Sequence, residues 1–457
     1  MAPLNSVLQI GKTALLAHQL SMETAGNNIA NVNTEGYSRR VASLRSLTGV
    51  LSPWGEIGRG VTVKTITRYR DSLIDEQVRD ARSQLNEWAM NDAQLAGVDA
   101  IFSETEGAGF GARLDEFFNA WQDLANDPQS SAARANLRQK SLAMTDVFHD
   151  LAHSLQGQQR GLSGQVDSMV DEINGITRQI ATLNDKILDL GDGSDAASTL
   201  LDERDRLLDQ LSELVNTDVL HRSDGSVSVY INSQNVVDRE AYDQLQTLTI
   251  TDGATSHLEV VTAGGMTFLA TGGKLGGLLQ MANQTLPGYL ERLNILARNL
   301  VETVNEAHGR GHGLNGATGI DFFDRTRTDA ATMALSHEVE TDLDNIAAGA
   351  TAAAGDNAQA LAIAGLKNAN LSGLGTTLND YYSSLLAGIG SDAAHALDTH
   401  RHLQIVHDQL DAQRESIQGV SLDEEMTNLM RFQHAYEAAA RLVQTADAMM
   451  QTLLDMV

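Results

Sequence analysis

Residues 336–341, SHEVET, fall one side chain short of a zinc-hydrolase helix. That chemistry needs two imidazoles four residues apart on one helix face, with a glutamate between them to act as general base. His337 and Glu338 are in place, but Thr341 stands where the second imidazole is required, so a metal would lose a ligand. Four more histidines, His395, His400, His402 and His407, form two pairs seven residues apart, each pair on one helix face. Neutral imidazoles on a solvated helix account for them, with Asp398 and His402 making an ordinary i,i+4 surface pair. Residues 189–195, DLGDGSD, have the composition of a calcium loop without its alternating aspartates or its terminal glutamate. Residues 270–277, ATGGKLGG, miss the Gly-x4-Gly-Lys-Ser/Thr spacing that cradles phosphates. No catalytic, cofactor-binding or metal site is expected, and the chain reads as a non-enzyme.

The informative residues are apolar and periodic. Leu4, Leu8, Gly11, Leu15, His18, Met22, Ala25 and Ile29 alternate steps of four and three, a heptad seam with two imperfect positions. Leu422, Glu425, Leu429, Phe432, Tyr436, Ala439, Val443, Ala446, Met450, Leu453 and Val457 repeat the pattern at the other end, with Glu425 the one polar member. At the rise of an α-helix these segments are roughly 40 and 55 Å long. One amphipathic helix at each terminus predicts that the two ends pair as a coiled coil. Interior seams from Met144 to Leu190 and from Leu286 to Ala307 predict further long helices. Between roughly 217 and 275 the period changes to two, and the turn sequence SDGS at 223–226 predicts a hairpin inside a small β-rich insertion.

The expected architecture is therefore mainly α with a small inserted β domain, an α+β chain. Paired terminal helices occupy 1–40 and 415–457, a helical body takes 41–216 and 281–414, and the β-rich insertion lies at 217–280. The first helix is predicted to stop in NNIANVNTEGYSRR, residues 27–40. There Asn27, Asn28, Asn31 and Asn33 can bond freed backbone groups, and Gly36 readily takes positive φ. Tyr37 and Arg39 can reach neighbouring groups from this turn, which sends the chain back along its own axis.

Composition agrees with this picture. Only four prolines occur, leaving long stretches free for helix, and there is no cysteine, so disulfides and thiolate sites are excluded. A formal charge of −28, from 60 acidic and 32 basic residues, argues against a nucleic-acid surface. No apolar run is long enough for a membrane span, and the first 20 residues, with Lys12 their one charge, do not read as a cleavable secretory signal.

Two terminal stretches resemble the axial proteins of the bacterial flagellum. ALLAHQLSMETAGNNIANVNTEGYSRRV (14–41) is similar to their N-terminal signature, and GVSLDEEMTNLMRFQHAYEAAARLVQTADAMMQTLL (419–454) to its C-terminal counterpart. RFQ at 431–433 and the interior stretches 199–215 and 293–324 resemble the hook-associated protein 1 (FlgK) family more than hook or rod proteins. The resemblance implies a structural protein of the hook–filament junction, exported uncleaved by the flagellar type III apparatus and located outside the cell. It implies a ring of about eleven copies. Implied partners are hook protein, a second hook-associated junction protein and a cytoplasmic export chaperone on the C-terminal helix, with no cofactor, nucleic acid or membrane. The implied assembly seam is Leu4, Leu8, Leu15, Met22, Ile29, Leu422, Leu429, Phe432, Tyr436, Val443, Met450 and Leu453. The implied turn and subunit contact is Asn27, Asn28, Asn31, Asn33, Gly36, Tyr37 and Arg39. The outer β domain that follows the GIDFFD segment in longer members is expected to be absent. A hook or distal-rod protein is the alternative, and an adhesin-like module in 217–275 a weaker one.

Overall fold

The computed structural model describes residues 2–52, 55–103, 109–190, 195–252 and 255–455. Val457, most of the acidic loop at 191–194 and the side chain of Leu4 lie outside the described residues. The chain opens with α1 (Ala2–Ala30) and continues into β1 (Arg40–Ser46), β2 (Val50–Ser52), β3 (Gly55–Ile57) and β4 (Val61–Arg68). Next come α2 (Ser72–Phe102), α3 (Phe110–Asn126), α4 (Ser131–Leu190) and α5 (Asp195–Leu214). The β insertion contains β5 (Asp218–His221), β6 (Val227–Ile231), β7 (Gln234–Asp238), β8 (Ala241–Tyr242), β9 (Leu245–Asp252), β10 (Thr255–Thr262) and β11 (Thr267–Phe268). The chain closes with α6 (Gly273–Gln280), α7 (Leu286–Gly309), α8 (His337–Thr341), α9 (Ala358–Gly365), α10 (Leu378–Gln418) and α11 (Leu422–Asp455).

The seam from Leu286 to Ala307 lies in α7, and that from Met144 to Leu190 in one 60-residue helix, α4, about 90 Å long at standard rise. Its buried stripe includes Met144, Phe148, Leu155, Leu162, Val166, Ile173, Ile180 and Ile187, and it is covered by α3, α5, α7 and β9. The insertion forms an antiparallel sheet in order β5-β6-β7-β8 and a second in order β11-β10-β9. Gly225, at φ 86°, closes the β5–β6 turn expected at 223–226. Residues 273–280, expected inside the insertion, are instead helical. Gly272 and Gly273 both have positive φ, and a Cβ at Gly273 would lie 2.3 Å from the Leu214 carbonyl carbon. The GGKLGG stretch thus exists to let α6 cross the end of α5. Pro287, at the start of α7, lacks an amide hydrogen, and α6 joins α7 through a π-turn at Met281–Thr285.

The other correction concerns residues 40–68, expected as helix in the 41–216 body. They form two nested hairpins, β1 with β4 and β2 with β3. VTVKTITR at 61–68 alternates β-branched residues, which prefer an extended backbone. No Asn-Gly or Asp-Gly turn marks the hairpins in sequence, so the pattern passes unnoticed.

The GIDFFD segment is a core plug. Phe322 and Phe323 are fully buried with Phe117 and Trp121. Asn305 Oδ1 accepts from both of their amides, at 2.9 and 2.8 Å. Buried Arg134 donates to the carbonyls of Pro128, Leu343 and Ile346 and ties the following loop to α4. His308 sits in the same core, its Nδ1 on the Ile320 carbonyl at 2.7 Å and its Nε2 accepting from the Ala347 amide at 2.8 Å.

Those partners fix His308 as the neutral Nδ1–H tautomer, and burial lowers its pKa from 6.5 to about 4. Below pH 6.5 the unfolded chain takes a proton that the folded chain refuses until about pH 4. Stability is therefore expected to fall across that window by about 3 kcal/mol from this residue alone. Urea unfolding from pH 7 to pH 4 checks this. His308→Gln, which keeps a donor and an acceptor but cannot titrate, should lose that part of the pH slope; an unchanged slope contradicts the assignment.

Candidate functional site at the terminal helix pair

α1 and α11 pack against each other, and three contacts fix their direction. A Cβ on Gly11 would lie 2.5 Å from Val443 Cγ2. His18 stacks on Phe432 with ring centroids 6.4 Å apart. Asn28 bonds Glu425. Residue numbers rise on one helix as they fall on the other, so the pair is antiparallel.

These contacts involve the positions that depart from an ideal heptad. Gly11 gives room to Val443, and His18, whose pKa is lowered by burial, lies against an aromatic ring. Glu425 is 3 % exposed and receives Asn28 Nδ2 at 3.0 Å and Arg39 Nε at 2.8 Å. Each irregularity on one helix meets a specific partner on the other, so together they fix the register.

The helix-ending turn is organised by Asn28, itself 1 % exposed. Its Nδ2 also donates to the Arg40 carbonyl at 2.8 Å, while its Oδ1 accepts from the Arg40 amide at 3.0 Å and the Tyr37 hydroxyl at 2.8 Å. All four hydrogen-bonding capacities of the amide are used. Asn31 closes the last turn by donating to the Asn27 carbonyl, and its own Oδ1 accepts from Thr34. Asn27 and Asn33 are exposed. Gly36 has φ 78° and rests on the Arg206 side chain. Tyr37 lies under the Arg40 guanidinium, 5.3 Å from centroid to carbon. Arg39 reaches Glu424 as well as Glu425.

The seam residues are placed less deeply than the small residues between them. Leu8, Leu15, Met22, Ile29, Leu429, Phe432, Tyr436, Val443 and Met450 are half-buried, and Leu422 and Leu453 are exposed. Among the described residues the buried positions of the pair are Gly11, Ala17, Ser21, Thr24, Ala25, Ala439 and Ala446, beside Asn28 and Glu425.

Below the turn lies a charged joint that periodicity does not reveal. The chain crosses between helix pair and body at 30–40, 68–72 and 418–422; salt bridges bind the first two crossings and hydrogen bonds from Gln418 the third. Arg40 bonds Thr199 and Asp202; Arg68 reaches Asp202 at 2.8 Å and Asp205 at 2.7 Å. Arg70 joins Asp205 to Asp75, and Gln418 donates to Asp75 and to the Asp71 carbonyl. Arg79 and Arg414 converge on Asp209. Burial alone would raise the Asp205 pKa, but Arg70, Arg68, Arg79 and Arg204 outweigh it and hold the carboxyl well below its usual range. Arg204, also buried, is lowered to about 10 and donates to Asn184 and the Gly225 carbonyl. In sequence these residues look like surface i,i+3 and i,i+4 pairs along DERDR; only the tertiary fold turns them inward.

The residues tested for chemistry do not gather. Ser336 caps the short α8, which carries His337 and Glu338. His395 meets Trp88, His400 bonds Asp92, and His407 accepts from Arg82, so these three pack α10 on α2 while His402 is exposed. Among the described residues no group of His, Asp and Glu could hold a metal, and no helix is long and apolar enough to cross a membrane.

Comparison with known proteins decides what such a pair and body belong to. The model of the flagellar hook-associated protein FlgK helical domain matches residues 95–323, half of the chain. The chain belongs to the FlgK family of flagellar hook-associated proteins. Two further family models match its ends: flagella basal body rod protein over 8–37, and flagellar basal body rod FlgEFG protein C-terminal over 413–456. Flagellar hook-associated protein 1 of Bacillus subtilis is 29% identical, covering 98% of this chain and 97% of that one. Its counterpart in Escherichia coli K12 is 27% identical, covering 99% and 100%. The solved flagellar hook junction protein FlgK from Burkholderia pseudomallei shares the fold, with TM-score 0.67 at 16% identity over 75% of this chain and all of that one. Membership of this family makes the chain a structural protein of the bacterial flagellum.

Proposed function

We propose that this chain forms the hook–filament junction by polymerising through its paired terminal helices. The observation that carries the reading is the inverted packing of the pair. Small residues fill its interface, while the large seam side chains stay half-buried and Met426, Met430, Leu442, Met449 and Leu454 are exposed. A helix pair so built keeps apolar area in reserve for neighbouring copies. In this reading 1–40 and 415–457 form the axial core, and the body radiates from it without an outer domain after residue 324. The copies close a ring of about eleven by a repeated head-to-tail contact. Hook protein flanks the ring on one side and a second junction protein on the other. The chain leaves the cell uncleaved through the flagellar type III apparatus, with a cytoplasmic chaperone covering the α11 seam before export. Helices with so little buried area are marginal alone, and assembly completes their folding.

Changing Leu429, Tyr436 and Val443 together to Asp tests this reading. The variant is expected to abolish filament attachment and motility while the 70–310 body unfolds at the wild-type urea midpoint. Normal motility in that variant would refute the proposal. Rapid amide exchange of 4–29 and 425–455 in the purified monomer, slowing on assembly, is the companion result.

A further inference from the structure

The ribbon formed by β1 to β4 departs from the rest of the chain in charge. Residues 40–70 hold six basic residues and one acidic, whereas the remainder holds 26 basic against 59 acidic. Three of the six, Arg40, Arg68 and Arg70, turn onto Asp202, Asp205 and Asp75 in the joint. The other three, Arg45, Arg59 and Lys64, are exposed and make no ion pair among the described residues. Between them the ribbon exposes Val41 at 42 %, Leu44 at 39 %, Leu51 at 90 % and Ile57 at 51 %. Its inner side is taken up: β1 and β4 pack on α1, and a Cβ at Gly60 would strike Thr13 Oγ1.

We propose that this ribbon, through the exposed apolar and basic side chains it carries away from α1, docks on the acidic surface of a second copy of this chain. This rests on the reading that copies assemble side by side and names the element that joins them. Charge complementarity selects the occupant. A basic and apolar strip also suits nucleic acid or an anionic membrane, but the large negative charge of the remaining chain repels either one. Another copy presents abundant carboxylates. One exposed cluster, Glu76, Asp80 and Asp218, makes no ion pair among the described residues, and partial burial with the two neighbouring carboxylates raises the Asp80 pKa. Lateral contact between ribbon and acidic body relieves both unbalanced patches at once. It also covers Leu51, 90 % exposed, whose exposure on an unlayered hairpin otherwise favours aggregation.

The test uses whole flagella carrying a photo-crosslinking amino acid at Leu51, with a second strain carrying it at Met430 on α11. Mass spectrometry identifies the captured peptide, and mixing isotopically labelled subunits distinguishes capture between copies from capture within one. The expected product at Leu51 joins two copies of this chain. Reversing the three free charges, R45E with R59E and K64E, is expected to lower its yield about tenfold, the sum of three exposed ion pairs. Circular dichroism of the purified triple variant should match wild type, because those exposed side chains make no ion pair among the described residues. Capture between copies at Met430 with hook protein, nucleic acid, lipid or nothing at Leu51 overturns the ribbon contact and leaves side-by-side assembly standing. An unchanged Leu51 yield after charge reversal also overturns it. Failure of both probes to capture a copy removes the two readings together.

Discussion

Asp205→Asn is expected to destabilise the folded chain by about 3–5 kcal/mol at pH 7, although it preserves side-chain size. The native carboxylate is buried and takes Arg68 at 2.7 Å and Arg70 at 3.1 Å. Neither guanidinium can lose its charge, so a neutral amide leaves two cations in the joint with Asp202 and Asp75 as their remaining anions. The sign of the pH effect follows from linkage. Because the folded pKa is depressed below the ordinary 3.8, the carboxylate contributes its stability above that value and loses it as pH falls further. The deficit of the variant is therefore expected in full at pH 7 and reduced at pH 3. Urea unfolding of wild type and variant at both values measures it. A deficit under about 1 kcal/mol at pH 7 would place this network with surface ion pairs, which contribute little.

The helices were legible because a seam of apolar residues reports its own period. α1, α4, α7 and α11 follow directly from Leu, Ile, Val and Met at steps of three and four. The ribbon at 40–68 was missed although Val61, Val63, Thr65 and Thr67 alternate in plain view. Its strands are half-exposed and its turns carry no strong signal, so nothing interrupted the expectation of helix. The joint was illegible for a different reason. Arg68 and Asp205 are 137 residues apart, and a buried pair between them cannot be told in sequence from two solvated charges. The turn at 27–40 lay between these extremes. Its Asn and Gly content announced a helix stop, and Gly36 does adopt positive φ. That Asn28 uses all four of its hydrogen-bonding capacities depends on Arg40, Tyr37 and Glu425 arriving together, which local composition does not specify.

Glu425→Leu is the substitution that periodicity alone would recommend, since it completes the C-terminal heptad. It is expected to abolish filament attachment. Burying the new leucine contributes about 1.5–2 kcal/mol, while losing the two charge-assisted bonds from Asn28 and Arg39 costs about 3–6 kcal/mol. The helix pair of the isolated chain is therefore expected to lose about 1–4 kcal/mol. Specificity changes as well. A wholly apolar seam tolerates sliding by a heptad, whereas one buried polar contact fixes register. Because the chain has no cysteine, register can be read directly: Gly11 approaches Val443 closely, so G11C with V443C should form a disulfide when the helices are aligned. In an otherwise native sequence that bond is expected to close on mild oxidation. In the Glu425→Leu background it should form poorly, and cells should swim no better than a strain lacking the junction. Full disulfide yield with normal swimming would mean that Gly11 and His18 set the register without the carboxylate. A stability loss of the expected size with register retained would separate what stabilises this pair from what aligns it.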